Sequence, residues 1–164
     1  MTRFPENATI MAARPGSPES QTVLAAYFRD IISRERGRPA TRDEVDAEMR
    51  EDPSDDLIPP DGLFLLARHD TAVIGCIGLL LLPGGIGEVR RVYVDPAARG
   101  RGVGGALMRA VEDEARQREV TSLRLDTRSE LIEARRLYAR LGYQEVAPFN
   151  AGRWADHWLA KSLA

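Results

Sequence analysis

Cysteine is nearly absent, for Cys76 stands alone among 164 residues. A single thiol excludes an internal disulfide and any zinc site built on several thiolates. Histidine is almost as scarce. His69 and His157 lie too far apart in sequence to form a helical ligand pair, so no metal is expected. Lysine is scarcer still: Lys161 is the only one among 23 basic residues. That skew toward arginine fits codon usage in a GC-rich genome and carries no functional weight. Positive charge is not in excess, and a net charge of −2 gives no global field to draw nucleic acid or an anionic membrane. The longest nearly apolar run, Thr71 to Pro83, is too short to span a bilayer. Met1 to Ala13 lacks the charged start and the roughly 7–15-residue apolar core of a secretory leader. The expectation is a cytoplasmic protein with neither membrane nor nucleic acid as a partner.

What is present is ordinary globular composition, 43% hydrophobic and 29% charged. A chain of this length reads as one domain, residues 1–164, and buries enough surface to need no staple. Ala8–Ala13 reads as a short strand. Ser17-Pro18 opens a helix, with Ser17 as cap and Pro18 in the first turn. Leu24, Tyr27, Phe28, Ile31 and Ile32 give that helix its apolar stripe, and Gly37 and Pro39 end it. Thr41 to Glu44 has capping-box spacing for a second, short helix that Pro53 ends. Leu63–Arg68 and Ala72–Leu82 read as a hairpin about His69-Asp70-Thr71, with Gly75 and Gly78 marking a bulge or a close backbone approach. A turn at Pro83–Gly87 leads into a strand over Glu88–Val94.

The pattern then changes. Arg99-Gly100-Arg101-Gly102-Val103-Gly104 lies between that strand and an amphipathic helix bearing Val103, Leu107, Val111 and Ala115. Alternate glycines let the backbone approach a ligand, and the helix start turns unpaired N–H groups and the positive dipole end to the same point. Arg99 and Arg101 add charge able to bond phosphate oxygens. Together these describe a diphosphate cradle. No Lys-Ser or Lys-Thr pair follows Gly104, which excludes a P-loop. The late position after a meander also excludes a Rossmann dinucleotide site. A strand about Leu123 and Leu125 follows, then a last helix on Ala134, Leu137, Tyr138 and Leu141. Gly142 sits at its left-handed end, and strands at Tyr143–Val146 and His157–Leu159 close the chain. The fold class is α/β.

The string from Glu88 to Gly104, with Leu137-Tyr138 and Leu141-Gly142-Tyr143 downstream, resembles the GCN5-related N-acetyltransferase (GNAT) family. Arg99, Gly102 and Gly104 match the fixed positions of its R/Q-x-x-G-x-G/A coenzyme A loop, and the likeness runs from about Thr9 to Leu163. The resemblance implies a mixed, mostly antiparallel central sheet with flanking helices and a splayed coenzyme A cleft. It implies acetyl transfer from acetyl-CoA, as cosubstrate, to a primary amine of a small molecule or peptide by direct attack in a ternary complex. Val92, Tyr93 and Val94 would hold the pantetheine arm with backbone N–H groups, and the Val92 amide would stabilise the oxyanion. Arg99, Gly100, Arg101, Gly102, Val103 and Gly104 would hold the pyrophosphate. Glu88 is the candidate base and Tyr138 the candidate acid. Each has a plainer reading: Glu88 as a strand-end residue paired with Arg90 or Arg91, Tyr138 as core on the last helix. Leu131 stands where relatives often carry asparagine, seven residues before the tyrosine.

Phe149, Trp154 and Trp158 belong to the segment that borders the acceptor site in that family. His157 reads as acceptor-facing or structural, and Cys76 as core. The acidic stretch Glu51–Asp56 reads as a funnel for a cationic acceptor or as a solvated loop. An amino-acid-like acceptor would instead want Arg90 or Arg153 in the pocket. A non-catalytic acyl-CoA sensor on the same scaffold is the alternative. A basic stripe for nucleic acid is broken by Glu112, Asp113, Glu114 and Glu119. Homodimerisation is a family expectation without an interface in the sequence.

Overall fold

The computed structural model describes residues 3–164. Its elements are β1 (Ala8–Ala12), α1 (Pro18–Arg36), α2 (Arg42–Glu51), β2 (Gly62–His69), β3 (Ala72–Leu82), β4 (Ile86–Val94), a 3-10 turn (Pro96–Ala98), α3 (Val103–Gln117), β5 (Ser122–Thr127), α4 (Ile132–Arg140), β6 (Gln144–Glu145) and β7 (His157–Ser162). The strands form one sheet in the order β1-β2-β3-β4-β5-β7-β6. Every neighbouring pair is antiparallel except β4 with β5. The expected α/β class and mostly antiparallel mixed sheet are what the chain forms. No helix among the described residues is long and apolar enough to cross a membrane.

Local signals account for most boundaries. Ser17 Oγ accepts from the Ser20 amide at 3.2 Å, Pro18 fills the first turn of α1, and Gly37 closes it at φ +67°. The Thr41–Glu44 capping box forms on both sides. After α4 the Tyr143 amide donates to the Tyr138 carbonyl and the Gly142 amide to that of Ala139, with Gly142 at φ +91°, the pairing of a Schellman motif. Three expectations shift, the first being the last strand, expected over His157–Leu159, which runs on to Ser162. β4 begins at Ile86, so Gly87 lies in the strand rather than the turn. The strand expected over Tyr143–Val146 shrinks to Gln144–Glu145, because only those residues register with β7.

The core lies on both faces of the sheet, which explains apolar runs without alternation in β2 and β3. Leu63, Leu65, Ala67, Ile77 and Leu79 pack with Val103, Leu107, Met108, Val111 and Ala115 of α3. On the other face Phe64, Leu66 and Cys76 pack with Val23 and Leu24 of α1, and Phe28 and Ile32 join Val45 of α2. α3 opens on Gly102 with no side-chain cap. With glycine as the cap residue, the missing side-chain bond costs only about a few tenths of a kcal/mol. Each large side chain buried along α3 contributes roughly 1.5–3 kcal/mol, so burial decides that the helix forms. Its N-terminal amides are left uncommitted by any side chain.

Two features of β4 position the site. Opposite β3, its register runs to Gly78↔Arg90 and resumes at Cys76↔Tyr93, so one extra residue is accommodated on β4. Arg91 sits in that bulge at φ +57°. Opposite β5, pairing is confined to Ile86↔Ser122, Gly87↔Leu123 and Glu88↔Arg124. Beyond Glu88 the strands part, while β4 stays with β3 to Val94 and β5 stays with β7 to Thr127.

At the far end of α3, buried Glu112 accepts from Tyr143 Oη at 2.9 Å and from Lys161 Nζ at 2.8 Å. Burial, then the Glu112 charge, raises the Tyr143 phenol well above its ordinary range and keeps it a donor. The only lysine in the chain thus ties β7 to α3. Glu112→Ala leaves the ammonium and the phenol without their acceptor. Urea denaturation is expected to show a loss of about 3 kcal/mol, in the range for breaking a buried pair. Lys161→Met should cost at least as much, because it strips the buried Glu112 carboxylate of its cation and leaves only the Tyr143 hydroxyl on it.

Candidate active site

Where β4 leaves β5, a cleft opens with two compartments. They share Tyr27, Ile31, Val92, Leu131 and Ala134 as walls, and Val92 is the β4 residue at their junction. Leu131 and Ala134 come from the start of α4 and Tyr27 and Ile31 from α1, so the junction is framed from both faces of the sheet. Ala134 and Leu137, expected as a buried stripe, are only half-buried because they face this cleft.

One compartment, of about 370 Å³, holds Val92, Tyr93, Val94, Arg99, Gly100, Gly102, Val103 and Gly104 among its walls. Arg101 is exposed and does not line it. Gly100 and Gly102 take φ of +80° and +76°. The first intrahelical bond of α3 runs from the Ala106 amide to the Gly102 carbonyl, so the amides of Val103, Gly104 and Gly105 precede the ladder. A Cβ on Gly104 would stand 2.9 Å from Leu137 Cδ2. The cradle therefore suits an anion approaching backbone N–H groups, as a diphosphate would. Arg99 donates from Nε to the Val94 carbonyl at 3.1 Å, and its other nitrogens lie 3.5 Å from Asp30 and 3.8 Å from Glu133. Arg34 bridges the same two carboxylates at 3.1 and 2.7 Å, linking α1 to α4 across the cleft.

The other compartment, of about 400 Å³, is lined by Glu48, Glu51 and Asp52, by Glu88 through Val92, by Leu125–Thr127, and by Tyr138, Asn150, Arg153 and Trp154. Glu88 is buried between two guanidiniums: Arg90 Nε reaches Oε1 at 3.1 Å and Arg124 Nε reaches Oε2 at 3.1 Å. Arg91 is not its partner; that side chain pairs with Asp52 at 3.0 Å and with Ser54 Oγ at 3.0 Å. Tyr138 is buried, and burial pushes its phenol well above the usual range, so the hydroxyl stays protonated. Its hydroxyl has no hydrogen-bond partner among the described residues, although the side chain lines the cleft.

Residues 25–143 match the acetyltransferase (GNAT) family. The chain belongs to that family, and with it to the enzymes of acetyl-CoA-dependent acetyl transfer. It is 38% identical over 95 residues to an IAA acetyltransferase of Azospirillum brasilense, a match spanning 57% of this chain and 62% of that protein. To the aminoalkylphosphonate N-acetyltransferase of Salmonella typhimurium it is 31% identical, covering 88% of this chain and 92% of that one. Among solved structures it superposes on the PaiA N-acetyltransferase of Thermoplasma acidophilum in complex with coenzyme A, with a TM-score of 0.71 at 20% identity, covering 94% and 99% of the two chains. That likeness concerns the fold.

Within this GNAT scaffold, Glu48 and Asn150 escaped the sequence reading, and so did three more cleft residues. Asp126, one residue before the end of β5, lines the second compartment and accepts from Asn150 Nδ2 at 2.9 Å. Burial raises its pKa above the ordinary aspartate value, the Asn150 hydrogen bond opposes that rise, and the nearby Glu88 charge adds to it. In sequence it was one polar residue alternating with leucines. Arg136 and Arg140 line the first compartment, and in sequence they were charges on an amphipathic helix.

Other candidates fall outside. His157 bonds Ser129 Oγ at 2.9 Å and Glu145 at 3.0 Å away from the cleft, and Trp158 donates to Asn150 at 2.9 Å. Phe149 lies under Arg124, its ring centroid 4.2 Å from the guanidinium carbon. Trp154 alone of the three aromatic residues lines the compartment. Cys76 is core, its Sγ 3.2 Å from the Arg91 carbonyl and its pKa raised by burial. Of the acidic stretch, Glu51 and Asp52 reach the cleft, whereas Asp56 lies 3.7 Å from Arg90.

The cradle makes a direct prediction. Gly102→Glu replaces a left-handed glycine and sets a carboxylate at the helix start, so calorimetry should register loss of acetyl-CoA binding while circular dichroism shows a folded protein. Undiminished binding by the folded variant would remove the diphosphate from this loop.

Proposed function

We propose that this GNAT chain transfers acetyl from acetyl-CoA to a primary amine by direct attack in a ternary complex. The observation that carries the reading is the junction at Val92, where a diphosphate-suited compartment meets a second one lined by titratable groups. Backbone N–H groups of β4 from Val92 to Val94 hold the pantetheine arm, since no strand covers that edge beyond Glu88. Arg99 and the loop from Gly100 to Gly104 hold the pyrophosphate, with Arg101 at its solvent side and Arg136 and Arg140 adding charge. The Val92 amide donates to the carbonyl oxygen as negative charge develops there. The relatives' printed names support an amine of a small molecule as acceptor.

An alkylammonium has a pKa of about 10.4 and must lose a proton before it attacks. Asp126 takes that proton. Its raised pKa makes it a better base than an ordinary aspartate, and no guanidinium occupies it. Glu88 has both oxygens engaged by arginines, and its part is to hold Arg90 and Arg124 and to raise the basicity of Asp126 through its charge. Tyr138 gives its proton to the departing thiolate. A model thiol has a pKa of about 8.5, already a fair leaving group, so the tyrosine contributes less than the base.

Two outcomes separate these roles. Asp126→Asn should lower kcat/KM by about 10²–10⁴-fold in thiol release, the usual worth of a positioned base. Tyr138→Phe should cost less than that, since a thiol of pKa about 8.5 leaves with little help. Acetyl-CoA affinity should change in neither. A full-rate Asp126→Asn alongside an inactive Glu88→Gln would move the base to Glu88.

The same carboxylate bears on stability. Its folded pKa exceeds the unfolded one, so the folded state binds more protons between the two values and loses stability as pH rises through that window. Asp126→Asn should therefore melt higher than the natural protein at neutral pH and lose that advantage in acid, as calorimetric scans across pH would show. For activity the sign is opposite: kcat/KM should fall as pH drops through the raised Asp126 value.

A further inference from the structure

Resting on that reading, we infer that the acceptor is a cationic amine carrying no carboxylate, phosphate or phosphonate near its nitrogen, with Asp126 as its ammonium seat. The argument is one of charges already spoken for. Three arginines line the acceptor compartment, and each has a carboxylate partner within the protein. Arg91 is buried on Asp52 at 3.0 Å, Arg90 holds Glu88 at 3.1 Å, and Arg153 holds Glu48 at 3.0 Å.

Two of those partners are themselves sealed. The Glu88 and Glu48 side chains are each 8% exposed. Glu48 has both oxygens engaged, one by Arg153 and the other by Trp154 Nε1 at 2.7 Å. An acceptor carboxylate or phosphonate that recruited Arg153 would strip a buried carboxylate of its cation, which is the costly way to break such a pair. Recruiting Arg90 would loosen Glu88 on one side in the same manner.

Against three arginines the compartment sets five carboxylates: Glu48, Glu51, Asp52, Glu88 and Asp126. Asp126 has no cationic partner within ion-pair distance among the described residues; its hydrogen bond comes from the neutral amide of Asn150. With Arg124 also on Glu88 and Glu51 3.7 Å from Arg153, the carboxylate left without an ion pair is Asp126, near the end of β5. Tyr27, Leu125 and Trp154 supply apolar wall for the stem of the amine. A volume of about 400 Å³ suits a small molecule.

The test uses acetyl-CoA and acceptors paired so that only the anion differs: 2-phenylethylamine against phenylalanine, and propylamine against 3-aminopropylphosphonate. Thiol release should favour the member without the anion by at least about tenfold in kcat/KM, since like charge in a desolvated site is strongly disfavoured. Glu48→Gln keeps an acceptor for Trp154 but leaves Arg153 only its 3.7 Å contact with exposed Glu51, so it should narrow that preference by raising the rate with the anionic member. A merely structural Glu48 would not produce such a gain. Asp126→Asn should depress the cationic members most. Equal or better turnover of the anion-bearing acceptors, or no turnover of any pair while acetyl-CoA binds by calorimetry, overturns the inference. Failure to bind acetyl-CoA would bring down the acetyltransferase reading beneath it.

Discussion

The parting of β4 from β5 governs the rest of the molecule. Parallel pairing lasts for three rungs and ends at Glu88↔Arg124, where the two side chains also form an ion pair. What separates the strands is a conflict of partners. β4 is committed to β3 through Val94, with one extra residue absorbed at Arg91, and a bulge bends and twists its strand. β5 is committed to β7 along its whole length. Neither can follow the other without breaking a longer ladder, so a gap opens inside the sheet, and the two compartments fill it.

Arg91 holds the bulge in place by chemistry that is mostly indirect. A non-glycine residue at positive φ is strained, so its conformation must be fixed by its surroundings. The side chain supplies that: it reaches Ser54 and Asp52 in the segment after α2, and its guanidinium carbon lies 4.9 Å from the Phe28 ring centroid. The geometry of β4 is thereby tied to α1 and α2 on one face. The opposite face is tied by α3, whose burial compensates for its uncapped start. The helix end best suited to receive an anion is thus held by packing well away from it.

Stability and chemistry divide the charged groups between them. Most of the cleft arginines and carboxylates satisfy one another, which keeps buried charge tolerable. In the second compartment the exception is Asp126, without a cation in ion-pair distance and partly desolvated, so that its pKa is raised at a cost to folding. A perturbed carboxylate in a cleft is where function is expected to be located. The same logic explains why Glu88 and Asp126, two carboxylates on adjacent strands, have different environments: one is clamped by arginines, the other is not.

Local chemistry was legible along the chain. The caps at Ser17 and Thr41, the left-handed Gly142, the turn at Asp70 and the glycine loop before α3 all depend on neighbours within a few residues, and all formed where the residues placed them. The family resemblance rested on the same kind of contiguous signal. By itself the sequence determined the element order, the α/β class and the place of the glycine loop before α3. Tertiary structure alone decided which charges face the cleft and which are neutralised. Glu88 finds Arg124 across 36 residues and Glu48 finds Arg153 across 105, pairings set by strand register and loop path rather than by spacing. Asp126, Arg136 and Arg140 look like ordinary polar positions until the splay opens a cleft beside them. A side chain's charge is written in the chain, but its partner and its desolvation are properties of the space around it.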